Sequence, residues 1–381
     1  MADNNTVIVN KEKQGFLKKI GNSIASIPAG IIILIMGILI LAGNEKTNVN
    51  NIKDVKELRG QINDISSEKV DSSYDGKLVA LSGKLVYGET PVVDTVFNVK
   101  ASTPKMVRVV EMYQWVEEKN ETDDKVTYTY SKEWSDELID SSEFNSPSGH
   151  ENSGVMPYEK ESYVVEDELK VGAFTLINSF KDQLSTSKEY KDFTDATLPE
   201  GYTVNNKYIT NSADYNNPQV GDVRISYLIN DYKDVSVLGK QNDNTIEKYT
   251  SKNNQTYARL YEGTKNGTDM INSIEAGNKF IKWFKRALGT LLIIIGIGLI
   301  LGPITTLIGY IPFLGNIVNS MIGVVSFLIG LAISLLVIAI SWFVVRPVLS
   351  IILIAVIVGI IVGILYLKKT KAVTTKTVEE K

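Results

Sequence analysis

The stretch ALGTLLIIIGIGLILGPITTLIGYIPFLGNIVNSMIGVVSFLIGLAISLLVIAISWFVV, residues 287–345, contains no Asp, Glu, Lys or Arg, and Arg346 is the one such residue before Lys368. A chain of 381 residues could not enclose so long an apolar run in a water-soluble core. The hydrocarbon layer of a bilayer, about 30 Å thick, takes roughly 20 apolar residues per helical crossing. Helix is the form expected, because open sheets and irregular backbone would present unpaired peptide groups to lipid. Pro303, Pro312 and Gly315 interrupt the run and predict a turn around residues 310–316, and Arg346-Pro347 predicts another. Spans are therefore expected at 287–308, 317–345 and 348–367.

A further span is expected at 24–43, an uncharged segment preceded by Lys11, Lys13, Lys18 and Lys19. It exceeds the apolar run of about 7–15 residues typical of a signal peptide, and no small-x-small cleavage site follows it. Whole-chain averages, 44% hydrophobic with a mean hydropathy of zero, conceal how strongly the residue types are segregated. Residues 1–23 carry a net charge of +2 and residues 368–381 a net of +3, while 44–286 holds 30 basic against 40 acidic residues. The positive-inside rule places the N-terminal segment 1–23 and the tail 368–381 in the cytoplasm and 44–286 outside. Lys282, Lys285 and Arg286 then stand on the disfavoured side, as long domains translocate largely regardless of charge. An acidic domain without a basic stripe excludes nucleic-acid binding. The absence of cysteine excludes disulfides, thiolate metal sites and cysteine nucleophiles. Heavy Asn, Lys and Ile usage points to a low-GC bacterial genome.

Within 44–286 the period of the pattern changes. Val49, Ile52, Val55 and Leu58 continue the first span as a helix. Residues 77–87, 105–118 (KMVRVVEMYQWVEE) and 125–134 (KVTYTYSKEW) read as strands, with the polar KNETDD, 119–124, as the turn between the last two. More strands are expected within 162–176, 223–228 and 257–261, a short helix at 180–184, and a helix over 269–287 that feeds the second span. The fold class is thus an α-helical transmembrane bundle of about four spans with an inserted α+β, β-rich extracytoplasmic domain. Tyr113, Trp115, Tyr128, Tyr130 and Trp134 are expected to fill the core of its sheet.

Gly298-x-x-x-Gly302 and Gly359-x-x-x-Gly363 permit close helix approach, and Gly330 and Ala332 add small residues to the third span. These six are the candidate packing or interface positions. Arg346, at a turn before proline, reads as a membrane anchor whose guanidinium reaches the interface. His150, the one histidine, lies in a Ser-Gly-His-Glu loop; catalysis would require a nucleophile and an orienting acid beside it. Spacing for a metal site, a phosphate-binding loop and a G-x-S-x-G elbow are all missing, so no catalytic residue, cofactor or metal is assigned. Three functions compete: a non-enzymatic membrane scaffold, an envelope or lipid-modifying enzyme using a cleft at His150, and a channel subunit. Nearly uncharged spans disfavour the last.

The segment Val110-Glu111-Met112-Tyr113-Gln114-Trp115-Val116-Glu117, with Tyr128-x-Tyr130, Lys132-x-Trp134, Gly149-His150 and Pro218-x-Val220-Gly221-Asp222-x-Arg224, resembles the LUMA family, transmembrane protein forty-three. The order of elements matches as well: one span, a large extracytoplasmic or lumenal domain, then clustered spans with Trp342 and Arg346-Pro347 before the last. The resemblance implies a membrane-organising protein without established catalytic residues. Animal members are implied to reside in the endoplasmic reticulum and inner nuclear membrane, to self-associate, and to bind emerin and lamins. A bacterial member would sit in the cytoplasmic membrane without those partners. The expected partners here are the lipid bilayer, further copies of the chain and unidentified membrane or envelope proteins.

Overall fold

The structure, a computed structural model, describes residues 5–10, 16–122, 125–308, 315–343, 351–352 and 355–359. The chain forms two compact units, one helical and one rich in β-strand. Helices α1 (Phe16–Gln61), α2 (Gly267–Ile308) and α3 (Gly315–Phe343) are each long and apolar enough to cross a membrane. The expected 24–43 span and the polar helix after it are one continuous α1, because nothing between Gly43 and Gln61 breaks the helix. The 269–287 helix likewise fuses with the 287–308 span as α2, and α3 begins at the Gly315 that marked a turn. Ile32, Ile35 and Leu39 on α1 and Val324, Phe327 and Leu328 on α3 are exposed, an apolar surface suited to lipid rather than water. Most of the expected fourth span, 348–367, lies outside the described residues, as do Arg346, Gly363 and the 368–381 tail.

In the β-rich unit the principal strands are β1 (Thr6–Asn10), β2 (Leu78–Val86), β3 (Lys105–Glu121), β4 (Lys125–Ser135), β5 (Glu161–Val164), β6 (Leu169–Val171), β7 (Phe174–Leu176), β8 (Tyr208–Thr210), β9 (Val223–Ile229), β10 (Asp234–Asn242), β11 (Thr245–Glu247) and β12 (Arg259–Glu262). One sheet runs β1-β4-β3-β9-β8, with β5 also on β3. In the other, β2, β10, β11, β7 and β6 pair in a ring, and the return pairing of β10 with β2 closes a small barrel. Gly172, at the tight turn between β6 and β7, has φ +59°, and a methyl group there would lie 2.0 Å from the Ser67 carbonyl. Only glycine fits. Asn266 caps α2 by accepting from the Asp269 amide at 2.8 Å.

Strand β3 alternates strictly, with Met106, Arg108, Val110, Met112 and Gln114 buried and the residues between them half-buried. Met106, Val110 and Met112 join Val79, Leu81, Phe97, Phe174, Ile225 and Val237 in one core. The expectation that Tyr113, Trp115, Tyr128, Tyr130 and Trp134 fill this core is therefore corrected, Tyr130 alone of the five being buried, and on the other face. Tyr113 pairs across the hairpin with Trp134, Trp115 with Lys132 and Glu117 with Tyr130, so the aromatic residues share the opposite face. The period of two was legible, but both faces carry large side chains, and composition favoured the wrong one.

The N-terminal segment was expected to lie across the membrane from the β-rich domain. Residues 6–10 instead pair antiparallel with β4, from Thr6 against Thr129 to Asn10 against Lys125. Hydrogen-bonded strands cannot straddle a bilayer, so this pairing and the expected cytoplasmic position of residues 1–23 exclude one another. The β-branched Thr6-Val7-Ile8-Val9 was the signal for this strand. The Tyr130 amide donates to the Asn5 carbonyl, which makes Ile8 and Thr127 a non-hydrogen-bonded pair with closely set side chains. In this cysteine-free chain, Ile8→Cys with Thr127→Cys should form a disulfide on mild oxidation. A pair that stays reduced in membranes, with cysteines at Asn4 and Thr122 labelled from opposite faces, would restore the original division.

Candidate functional site: a glycine seam and a buried ion pair

In the helical unit α1 and α2 touch backbone to backbone. A methyl group on Gly30 would lie 2.8 Å from the Gly296 carbonyl, and one on Gly37 would lie 2.8 Å from the Gly289 carbonyl. Reciprocally, Gly296 faces Gly30 and Leu34, and Gly289 faces Leu41 and Gly37. Ser23, Gly30, Gly37 and Asn44 recur every seven residues on α1, as do Lys282, Gly289 and Gly296 on α2. A seven-residue repeat keeps one stripe of a helix facing its partner over several turns. Polar groups close both ends of the seam: Thr306 donates to Ser23 at 3.0 Å, Ser26 to the Leu299 carbonyl at 3.1 Å, and Asn44 to the Lys282 carbonyl at 3.1 Å. Leu41, Ile293 and Ile297 form the buried centre, with Leu34, Ile38, Ile333 and Val337 against them.

Helix α3 packs through Gly330, where a methyl group would lie 2.6 Å from Ile294 Cγ1 and 3.0 Å from its Cα. The other candidate packing positions fall differently. Gly298 and Gly302 lie at contacts but with room to spare, the nearest atoms being Ser326 Oγ at 3.9 Å and Ser23 Oγ at 3.6 Å. Ala332 is exposed, and the space about Gly359 is open. The tight glycines Gly30, Gly37, Gly289 and Gly296 carry no four-residue signature, their spacing along each helix being seven.

At the end of the seam, Glu45 is fully buried. Arg286 grips it bidentately, Nε to Oε1 at 2.6 Å and Nη2 to Oε2 at 2.9 Å, while the Trp342 indole N–H donates to Oε2. The guanidinium carbon stands 4.9 Å from the Trp283 ring and 5.2 Å from that of Trp342. One carboxylate thus ties together α1, α2 and α3. Charge-assisted, bidentate pairing of this kind is the strong form of the hydrogen bond, and its planar fork fixes orientation as well. The arrangement can lock the register of the three helices, and both carboxylate oxygens of Glu45 are engaged in doing so.

His150, the candidate for catalysis, is likewise occupied in packing. It stacks on Tyr130 at 3.9 Å between ring centres, meets Trp115 edge-on at 4.7 Å, and its Nδ1–H donates to the Ser146 carbonyl at 2.9 Å. Tyr130 in turn donates to Glu117 at 2.6 Å and accepts from the Ser146 amide, and burial followed by the Glu117 bond pushes its phenol up to about 12. The Asn152 side chain bonds both the amide and the carbonyl of Trp115, substituting for a neighbouring strand. The loop carrying His150 is thereby bound down over the aromatic face of the hairpin. No group of three or more metal-ligating side chains occurs among the described residues.

Arg108, which no sequence pattern marks as a site, is buried on the core face of β3. It bonds Asp94 at 2.7 Å, Tyr163 at 2.7 Å and Glu161 at 3.0 Å, while Tyr227 donates to Asp94 at 2.6 Å. Burial alone would raise the Asp94 carboxyl, but the bonds from Tyr227 and Arg108 outweigh it and hold it below the usual carboxylate range. A depressed carboxylate contributes stability above its unfolded value, near ~4, and loses it as pH falls through the folded one. Acid titration of thermal stability should show this loss below about pH 4, and Asp94→Asn should flatten it.

The seam generates two further expectations. Gly37→Leu and Gly330→Leu should lower the melting temperature of the detergent-solubilised protein sharply, overpacking costing about 1–3 kcal/mol or more, while Gly302→Ala should be tolerated. Glu45→Gln should cost on the order of 3–5 kcal/mol by leaving Arg286 buried without its counter-charge. The double variant Glu45→Leu with Arg286→Met should be less damaged than either single change, a cycle read by the same melting measurement.

Comparison with known proteins agrees with this architecture. Residues 112–347 match the family model described as Transmembrane protein 43. The Transmembrane protein 43 homolog of Drosophila melanogaster is 28% identical over 284 residues, covering 70% of this chain and 74% of that protein. Transmembrane protein 43 of Rattus norvegicus is 24% identical and that of Homo sapiens 23% identical, each over 327 residues and 80% of both chains. No solved structure matches. With apolar helices fit to span a bilayer, a β-rich domain enclosing a small barrel, and a family match across most of the chain, this is an integral membrane protein of the Transmembrane protein 43 family.

Proposed function

We propose that the protein is a non-enzymatic scaffold that organises the membrane through self-association, with its β-rich domain binding partner proteins. The observation that carries this reading is the use to which His150 and Glu45 are put. The imidazole of His150 is stacked, edge-packed and hydrogen-bonded to a backbone carbonyl, and the Glu45 carboxylate is consumed by Arg286 and Trp342. Groups committed in this way hold a shape. The helices likewise meet through glycine and close packing, the means by which helices associate in lipid.

Self-association would use the outward face of α3, where Ala332 leaves a shallow place beside exposed Leu328, Leu331 and Leu336. Ala332→Leu should reduce the oligomer size of the detergent-extracted protein while leaving its melting temperature nearly unchanged, unlike Gly330→Leu. His150→Gln, which keeps a polar donor at that place, should leave both oligomer and cellular phenotype intact. Loss of the phenotype in His150→Gln with fold and oligomer preserved would sink the scaffold reading and favour an enzyme.

A further inference from the structure

The basic residues of α2 that the positive-inside rule disfavours lie beside an exposed apolar stripe. Phe280, Phe284, Leu288, Leu291 and Ile295 follow one another at spacings of four, four, three and four, the signature of a single helix face. All five are exposed, Phe280 by 69% and Phe284 by 56%, and those two rings stack at 6.4 Å. Trp283, 62% exposed, flanks the stripe. The stripe thus begins seven residues, roughly 10 Å of helix, before the uncharged span at Ala287. That length covers the headgroup layer of one leaflet. Lys279, Lys282 and Lys285 accompany it, Lys279 and Lys285 being exposed, and no acidic residue occurs between Glu275 and Glu379.

Arg286 is spoken for by Glu45, and Lys279 reaches Glu275 one turn back at 2.7 Å. The aromatic stripe is continuous with the lipid-facing side of the span and has exposed ammonium groups at its border. We infer that residues 279–288 of α2 form an interfacial belt that binds anionic phospholipid headgroups, the rings lying among the headgroups and the lysines meeting the phosphates. This rests on the reading of α2 as a membrane span, and it deepens the lipid contact of that reading. It also accounts for the three lysines without assigning them a part in orientation, since a headgroup anchor works in the leaflet it reaches.

The test uses the full chain in nanodiscs of phosphatidylcholine alone or doped with phosphatidylglycerol. Native mass spectrometry of protein released from the doped discs should show phosphatidylglycerol retained in preference to phosphatidylcholine. The triple variant Lys279→Gln, Lys282→Gln, Lys285→Gln should lose that preference several-fold, and raising the salt should do the same to the unaltered chain. Fluorescence assigned to Trp283 by difference from Trp283→Phe should be quenched by lipids brominated high on the acyl chain. Equal retention by the triple variant, a preference indifferent to salt, or a Trp283 protected from brominated lipid would overturn the inference; the last would mean that protein covers the stripe. Oligomer size, on which the scaffold reading depends, is a separate measurement and can fail independently.

Discussion

The contact between the backbones of α1 and α2 at Gly30–Gly296 and Gly37–Gly289 is the constraint on which the helical unit depends. In lipid there is no hydrophobic gain from bringing two apolar helices together, since the acyl chains are as apolar as leucine. What holds helices is close packing and the few hydrogen bonds that packing permits. Glycine removes the side chain that would keep the backbones apart, and every further contact of the bundle follows from the resulting separation. Ser26 reaches the Leu299 carbonyl and Asn44 the Lys282 carbonyl because the axes are close enough for short side chains to cross.

The Glu45–Arg286–Trp342 cluster follows from the same register. An ionised pair withdrawn from water gains stability only with good geometry and all its hydrogen-bonding groups occupied. The bidentate fork and the indole donor meet that requirement for the Glu45 carboxylate. If the glycine seam slid by one turn, about 5.4 Å, Arg286 would miss its carboxylate and leave two buried charges uncompensated. Packing sets the register, and the ion pair penalises departures from it. The β-rich unit repeats this logic at Arg108 and Asp94, where the bonds of Arg108 to Asp94, Tyr163 and Glu161 and of Tyr227 to Asp94 fix how β3, β5 and β9 meet.

The two faces of β3 show how one strand serves two ends. Its even-numbered residues enter the core, and its odd-numbered ones carry Tyr113 and Trp115 to a face covered in part by the His150 loop. Histidine at that place is a flat, polar ring suited to stacking on Tyr130 while still serving a backbone carbonyl. Phenylalanine could stack there but not bond, and a smaller polar residue could bond but not stack.

The sequence by itself determined the three apolar helices, the start of α3 at Gly315, the long hairpin and the alternation along its strands, because each is written in the period of neighbouring residues. It also marked the acidic stretch as rich in β-strand, and the hairpin's residues carried the family resemblance. It could not decide which face of β3 is the core, since both faces are rich in large side chains and only the far sheet selects between them. Nor could it join Thr6–Asn10 to β4, Gly30 to Gly296 or Glu45 to Arg286, pairs separated along the chain by more than a hundred residues. Local pattern records what a segment buries, whereas its partner across the chain is settled only when the whole register closes. That is why the tight glycines and the buried carboxylate emerged from the tertiary structure alone.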